Sequence, residues 1–254
     1  MTDKAGGEPV RVLVKAMAVL DLLAEVDEMG LGDIAARLDL NKSTCHRVLS
    51  TLAAGEFVER PAPGTYRLGI GAFRIGSAMA RRMGVRERAL PAMRELYRAT
   101  GETVFLLVPR GGEAVCVERL DGRYASTHTL RVGGALPLHL GAGPRLLLAG
   151  LPYEQIEDYL AGPLHRRGAP GEPTAAQLRE QLDRIRQEGY ATSEDDVELG
   201  VSALSVGVRD HTGSTVAALS ISGLTAHLPA AEREHHLGLL RRAADAASRA
   251  LGRR

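Results

Sequence analysis

The chain has 254 residues, 44% of them hydrophobic and 25% charged, a balance that argues against wholesale disorder and leaves room for two domains of unequal length. No stretch approaches the roughly 20 apolar residues of a membrane span, and the polar opening Met1–Pro9 lacks the apolar core of a secretory signal, so a cytoplasmic chain without a membrane partner is expected. The net charge of +1 is uninformative, but between Asn41 and Arg88 nine Lys/Arg face three acids, an excess of six that suits a polyanion.

Along the chain, Val12, Leu13, Ala16, Val19, Leu20, Leu23 and Val26 recur at three- and four-residue steps, predicting an amphipathic helix over 10–28. A short second helix carries Leu31, Ile34, Ala35 and Leu38 and breaks around Asp39-Leu40-Asn41. The cap-type residues Asn41-Lys42-Ser43-Thr44 then open a third helix that buries Cys45, Val48, Leu49 and Leu52. With that stripe inward, Lys42, Ser43, Thr44, His46 and Arg47, together with Ser50, form a donor-rich face at the helix start. Such a face suits a recognition helix, whose first turns meet base edges and phosphates of double-stranded DNA in the major groove. Gly55 ends the helix, and 57–60 and 66–68 flank Pro61-Ala62-Pro63-Gly64, the pattern of a hairpin or wing. A plain three-helix bundle has no use for a basic face followed at once by a Pro/Gly-tipped hairpin.

Asp33-Ile34-Ala35, Lys42-Ser43-Thr44, His46-Arg47-Val48-Leu49, Thr51-Leu52, Gly55 and Tyr66-Arg67-Leu68-Gly69 together resemble the IclR-type regulators. The resemblance implies a winged helix-turn-helix over 10–69, a linker helix over 70–84 and an effector-binding domain over 85–254, in a protein that pairs as a dimer or dimer of dimers on operator DNA. Cys45 stands where Val or a small apolar residue is expected, and its spacing makes it a core residue. In the linker helix, Arg74, Arg81 and Arg82 are expected to face outward.

Behind the linker, a helix over 85–100 precedes apolar strands at 103–108 and 114–120 around Arg110-Gly111-Gly112, and a further strand is expected over 126–132. Helices at 144–149, 153–160 and 174–188 separate these from strands at 190–193, 201–208 and 215–222, and a helix over 230–250 ends the chain. The order predicts an α+β domain around a largely antiparallel sheet, and the resemblance implies a GAF-like sheet holding a small organic acid or aromatic metabolite. Its effector site would lie in the glycine-rich loop Gly133-Gly134-Ala135-Leu136-Pro137-Leu138-His139 and the turn Gly141-Ala142-Gly143-Pro144, where a helix start offers backbone N–H groups to an anion. Gly143-Pro144-Arg145 departs from the family's Gly-Lys-Ala. The resemblance adds a polar acceptor at Ser193 or Glu194, wall residues Val201 and Ala203, and a carboxylate-holding pair at Ser220 and Ser222. Two residues apart on a strand, those two hydroxyls face the same way.

An enzyme is the rival reading. Gly200-Val201-Ser202-Ala203-Leu204 lacks the second glycine of a nucleophile elbow, and no phosphate-binding loop, dinucleotide fingerprint or H-E-x-x-H is present. His128, His139 and His211 assemble into no triad. His139 is expected to anchor its loop, and His235-His236 to sit at the exposed edge of the last helix. The two cysteines, Cys45 and Cys116, match neither a disulfide framework nor a zinc cluster. No cofactor and no metal are expected.

Overall fold

The computed structural model describes residues 9–82, 84–123, 130–164 and 174–253. The chain divides into two compact units, Met1–Arg82 and Met83–Arg254.

The first unit contains α1 (Arg11–Ala24), β1 (Met29–Gly30), α2 (Leu31–Arg37), α3 (Lys42–Ala54), β2 (Val58–Glu59), β3 (Thr65–Leu68) and α4 (Ile70–Arg82). Asp39, at φ 49°, breaks the chain after α2. Asn41 then stays extended, and its side-chain oxygen accepts the Thr44 N–H at 2.8 Å, which fixes the start of α3. Val19, Leu23, Ile34, Ala35, Cys45, Val48, Leu49, Val58 and Tyr66 share one core. β3 lies between β1 and β2 in a small antiparallel sheet, pairing Met29 with Tyr66 and Glu59 with Arg67. The expected first helix is only partly realised: Val19 and Leu23 enter the core, whereas Val12 and Leu13 are exposed. The helix carries more apolar residues than its own core accepts. The side chains of Arg81 and Arg82 fall outside the described residues.

The second unit contains α5 (Gly84–Thr100), β4 (Thr103–Arg110), β5 (Glu113–Leu120), β6 (Ala135–Pro137), α6 (Ala142–Ala149), α7 (Tyr153–Leu160), α8 (Ala175–Glu188), β7 (Tyr190–Glu194), β8 (Val201–Arg209), β9 (Thr215–Leu224) and α9 (Arg233–Ala250). The strands form one antiparallel sheet in the order β6-β5-β4-β9-β8-β7. Strand alternation divides its side chains between two cores. Val104, Leu106, Leu204, Val206, Leu219 and Ile221 pack with Met93 and Leu96 of α5 and Leu237 and Leu240 of α9. Phe105, Leu107, Cys116 and Ala218, on the opposite face, meet Leu146 and Leu147 of α6 and Leu178 and Leu182 of α8. The unit is thus an α+β sandwich with helices on both faces of an antiparallel sheet.

Three local differences from the expectation have clear causes. Residues 126–129 of the expected third strand, with His128, lie outside the described residues; the strand beside β5 is β6, within the glycine-rich stretch expected to be a loop. α6 begins at Ala142, two residues before Pro144, because Gly141 serves as its N-cap. The last helix begins at Arg233, after a short 3-10 turn over Ala230–Glu232. Among the described residues no helix is long and apolar enough to cross a membrane.

Candidate functional site

On α3 the burial of Cys45, Val48 and Leu49 turns Lys42, Ser43, His46 and Arg47 to the surface, with Thr44 half-buried at the edge. Ser43 donates its hydroxyl to the Asn41 cap oxygen at 2.9 Å, so Asn41 organises both Ser43 and Thr44. Among the described residues Lys42, His46 and Arg47 join no ion pair, whereas Arg67 is paired with Glu59 at 2.6 Å and Arg74 with Glu56 at 3.8 Å. Lys42 and Arg47 are therefore left for an external anion at the start of α3, with His46 beside them.

The second unit holds a cavity, partly open to solvent, between the start of α6, the β7–β8 loop and the sheet face formed by β4, β8 and β9. Gly141, Ala142, Ser193, Val201, Ala203, Ser220 and Ser222 all line it. Glu194 does not. It follows Ser193 on β7, so alternation turns it away, into a polar surface groove with Arg184 and Arg233. The walls also include Leu136, from the expected loop, and Phe105, Leu107, Leu130, Val197 and Glu198, which the sequence reading missed. Phe105 was findable in principle, since it pairs with Ser220 across β4 and β9, but a strand buried on both faces shows no alternation to orient it.

The polar end of the cavity is built differently from the expectation. Gly141 adopts φ 92°, a conformation that favours glycine, and its N–H donates to the Asp196 carboxylate at 3.0 Å. The Arg145 guanidinium donates to the same carboxylate oxygen at 2.5 Å and to the Thr192 carbonyl at 2.8 Å. Asp196 is 6% exposed. The amide of Gly141 expected to meet a ligand is thus already occupied by the protein's own carboxylate. Ala142 and Gly143, the first two residues of α6, have N–H groups without an acceptor inside the helix, and Pro144 contributes none. A Cβ on Gly143 would lie 2.8 Å from the Ser220 hydroxyl oxygen and 2.5 Å from Leu107, so any larger residue would require those side chains to shift.

Both buried serines already donate within the sheet: Ser220 to the Ser205 hydroxyl at 2.8 Å, and Ser222 to the Ser202 carbonyl at 3.2 Å. Ser205 itself donates to the Leu219 carbonyl at 3.2 Å. Rotating the Ser220 hydroxyl toward a ligand therefore exchanges one hydrogen bond for another and strands no donor. His139, buried, has its Nδ1 2.7 Å from the Tyr159 hydroxyl and ties its loop to α7. His236 is buried, contrary to expectation, with Nδ1 3.1 Å from the Glu232 carbonyl, whereas His235 is exposed. Burial pushes the Cys116 thiol up to about 12 and raises that of Cys45, so neither is poised as a thiolate. Among the described residues no group of three or more His, Cys, Asp or Glu side chains is placed to hold a metal ion.

Comparison with known proteins agrees with this two-unit layout. The family signature for the IclR helix-turn-helix domain matches residues 12–62, and that for the bacterial transcriptional regulator IclR C-terminal domain matches residues 77–249. The chain is 32% identical to the HTH-type transcriptional regulator XynR of Escherichia coli strain K12 over 246 residues, covering 96% of this chain and 98% of that protein. It is 31% identical to the HTH-type transcriptional regulator KipR of Bacillus subtilis strain 168 over 217 residues, covering 85% and 87%. The crystal structure of an IclR homolog from Microbacterium hydrocarbonoxydans in complex with 4-hydroxybenzoate superposes with a TM-score of 0.80 at 30% identity, covering 95% of this chain and 99% of that one. These matches, spanning a helix-turn-helix and a C-terminal domain in the same order, show that the chain belongs to the IclR family of bacterial transcriptional regulators.

Proposed function

We propose that the chain is a ligand-responsive regulator, acting in the bacterial cytoplasm, that binds operator DNA through the α3 face and a small organic acid or aromatic metabolite in the cavity of its second unit. The observation that carries this reading is a cavity whose lining combines hydrogen-bonding groups with apolar side chains. Ser193, Ser220, Ser222 and the start of α6 at Ala142 and Gly143 supply donors, Glu198 adds a carboxylate, and Phe105, Leu107, Leu130, Leu136, Val201 and Ala203 supply the apolar wall. The 4-hydroxybenzoate held by the related structure likewise combines a carboxylate and a hydroxyl with an aromatic ring. In this reading residues 10–69 form a winged helix-turn-helix with the β2–β3 hairpin as its wing, 70–84 the linker, and 85–254 the effector domain.

A thermal-shift screen of monocarboxylic and aromatic acids, with 4-hydroxybenzoate included, tests the ligand half, because a ligand of the folded state raises its melting temperature. Calorimetry of the hit against Ser220→Ala/Ser222→Ala should then show weakened binding with operator affinity of the unliganded protein unchanged. Equal affinities in two folded proteins would remove these serines from the site. For the DNA half, Arg47→Ala and Lys42→Ala are compared on operator and random duplexes across a salt series. A base-reading side chain costs about 1–3 kcal/mol and its loss relaxes specificity, whereas losing a phosphate contact weakens both duplexes and flattens the salt slope. Unchanged binding in both variants would refute the assigned face.

A further inference from the structure

We propose that Glu198 selects the ligand, and that the cavity takes a carboxylic acid which also carries a hydroxyl or amino donor in preference to the same acid without one. The inference rests on the ligand-binding reading above and adds to it the ligand class and the residue that sets it. Among the described residues lining the cavity, Glu198 is the only one whose side chain ionises. The other polar groups there are the hydroxyls of Ser193, Ser220 and Ser222 and the backbone at the start of α6. Those groups can donate to a carboxylate, whereas an ionised Glu198 can only accept. A ligand made of acceptors alone brings Glu198 nothing, and a ligand with a donor as well completes the set. A carboxylate offers about four acceptor positions, so a bond made within the protein still leaves room for a ligand's donor.

The neighbouring acids are placed elsewhere, which isolates the role of Glu198. Glu194 turns into the surface groove with Arg184 and Arg233. The Asp195 carboxylate accepts the Gly200 N–H at 2.5 Å, and Asp196 holds Arg145 and the Gly141 N–H. These bonds fix the β7–β8 loop on both sides of Glu198, and the Val201 N–H donates to the Glu198 carbonyl at 3.3 Å. Val197, the preceding residue, also lines the cavity and lies against the start of α6: a Cβ on Gly141 would come within 3.1 Å of its Cγ2. Glu198 is thus half-buried on a pinned loop, and its position is set before a ligand arrives. An apolar group or a second anion brought against that carboxylate removes water without replacing it, whereas a donor exchanges one hydrogen bond for another. Selection then comes as much from rejecting the wrong acid as from holding the right one.

The experiment measures binding to the full-length chain by calorimetry for two matched series: benzoate, 4-hydroxybenzoate, 4-aminobenzoate and terephthalate, and propionate, 3-hydroxypropionate, 3-aminopropionate and malonate. In at least one series the hydroxy or amino acid should bind about tenfold tighter than the unsubstituted acid, with the diacid weakest. Glu198→Leu, with a melting curve that shows a folded protein, should abolish the preference by weakening the donor-bearing acid and not the plain one. Glu198→Gln keeps an acceptor and loses the charge, so it should retain part of the preference for the hydroxy acid and admit the diacid. Ser220→Ala/Ser222→Ala serves as the reference. If it weakens the acids that bind, while wild type shows no preference or Glu198→Leu leaves the ratio between matched acids unchanged, this inference fails and the ligand-binding reading stands. A ratio changed by Glu198→Leu, beside a serine variant that binds as wild type does, would keep Glu198 in the site and remove the serines. If no acid binds, or if neither variant alters the binding of any acid, both fail.

Discussion

Asp196 is the side chain whose removal has the most readable consequence. Its carboxylate joins the β7–β8 loop to the start of α6 through the Gly141 N–H and Arg145. Asp196→Ala leaves a buried amide and a largely buried guanidinium short of a partner, and should cost about 2 kcal/mol in urea denaturation. Asp196→Asn keeps an acceptor for Gly141 and should cost less. Glu102 makes a pH prediction. Burial pushes its carboxyl above the ordinary glutamate value, against the opposing pull of His227, His236 and Arg123. The folded state therefore keeps the proton where the unfolded chain has released it. The associated stability is fully present below the ordinary glutamate pKa and is lost as pH rises through the raised value. In melts across the range of about pH 4 to 7, Glu102→Gln should gain on wild type as pH rises, and parallel curves would contradict this. The sequence exposes some of these residues and hides others. Ser220 and Ser222 stand out because two hydroxyls interrupt an apolar strand, but Asp196 sits in the acidic run Glu194-Asp195-Asp196 that reads as a solvated loop. Its partner Gly141 is 55 residues away, and no local pattern encodes that bond.

At the scale of elements, periodicity reports that a helix has an apolar face, not what covers it. α1 exposes Val12, Leu13, Val14 and Met17, with Val10 exposed at its N-cap, and α4 exposes Ile70, Phe73, Ile75 and Met79. Two helices of one unit with exposed apolar residues in this number are the basis for expecting self-association. Phe73, 68% exposed, is the test: Phe73→Asp should convert a dimer to monomer in light scattering with helical content intact. A wild-type chain that is itself monomeric while binding its operator would end that expectation. The helix-turn-helix is legible almost residue by residue, because its cap, its inward stripe and its turn are all local. The sheet was less so. β4 is apolar from Val104 to Val108, which conceals that Phe105 and Leu107 belong to the cavity wall, and a one-residue step on β7 separates Ser193 from Glu194.

For the whole molecule, coupling between ligand and operator is a thermodynamic quantity and must be reciprocal. A ligand that changes operator affinity by some factor should have its own affinity changed by that factor when operator is present, as calorimetry with and without duplex would show. An unchanged ligand affinity beside an altered operator affinity would mean that the measured ligand acts elsewhere. The cavity also has a bearing on how such a sensor acquires new signals. At Gly143 an added Cβ would strike Leu107 and Ser220, so a substitution there requires those side chains to shift. Ala203, which pairs with Ser193 on one side and Ser222 on the other, lines the same cavity, so a change of side chain there alters the room available. Under the proposed function, a small library at position 203 therefore tests whether the ligand that the cavity accepts can be changed from that one wall.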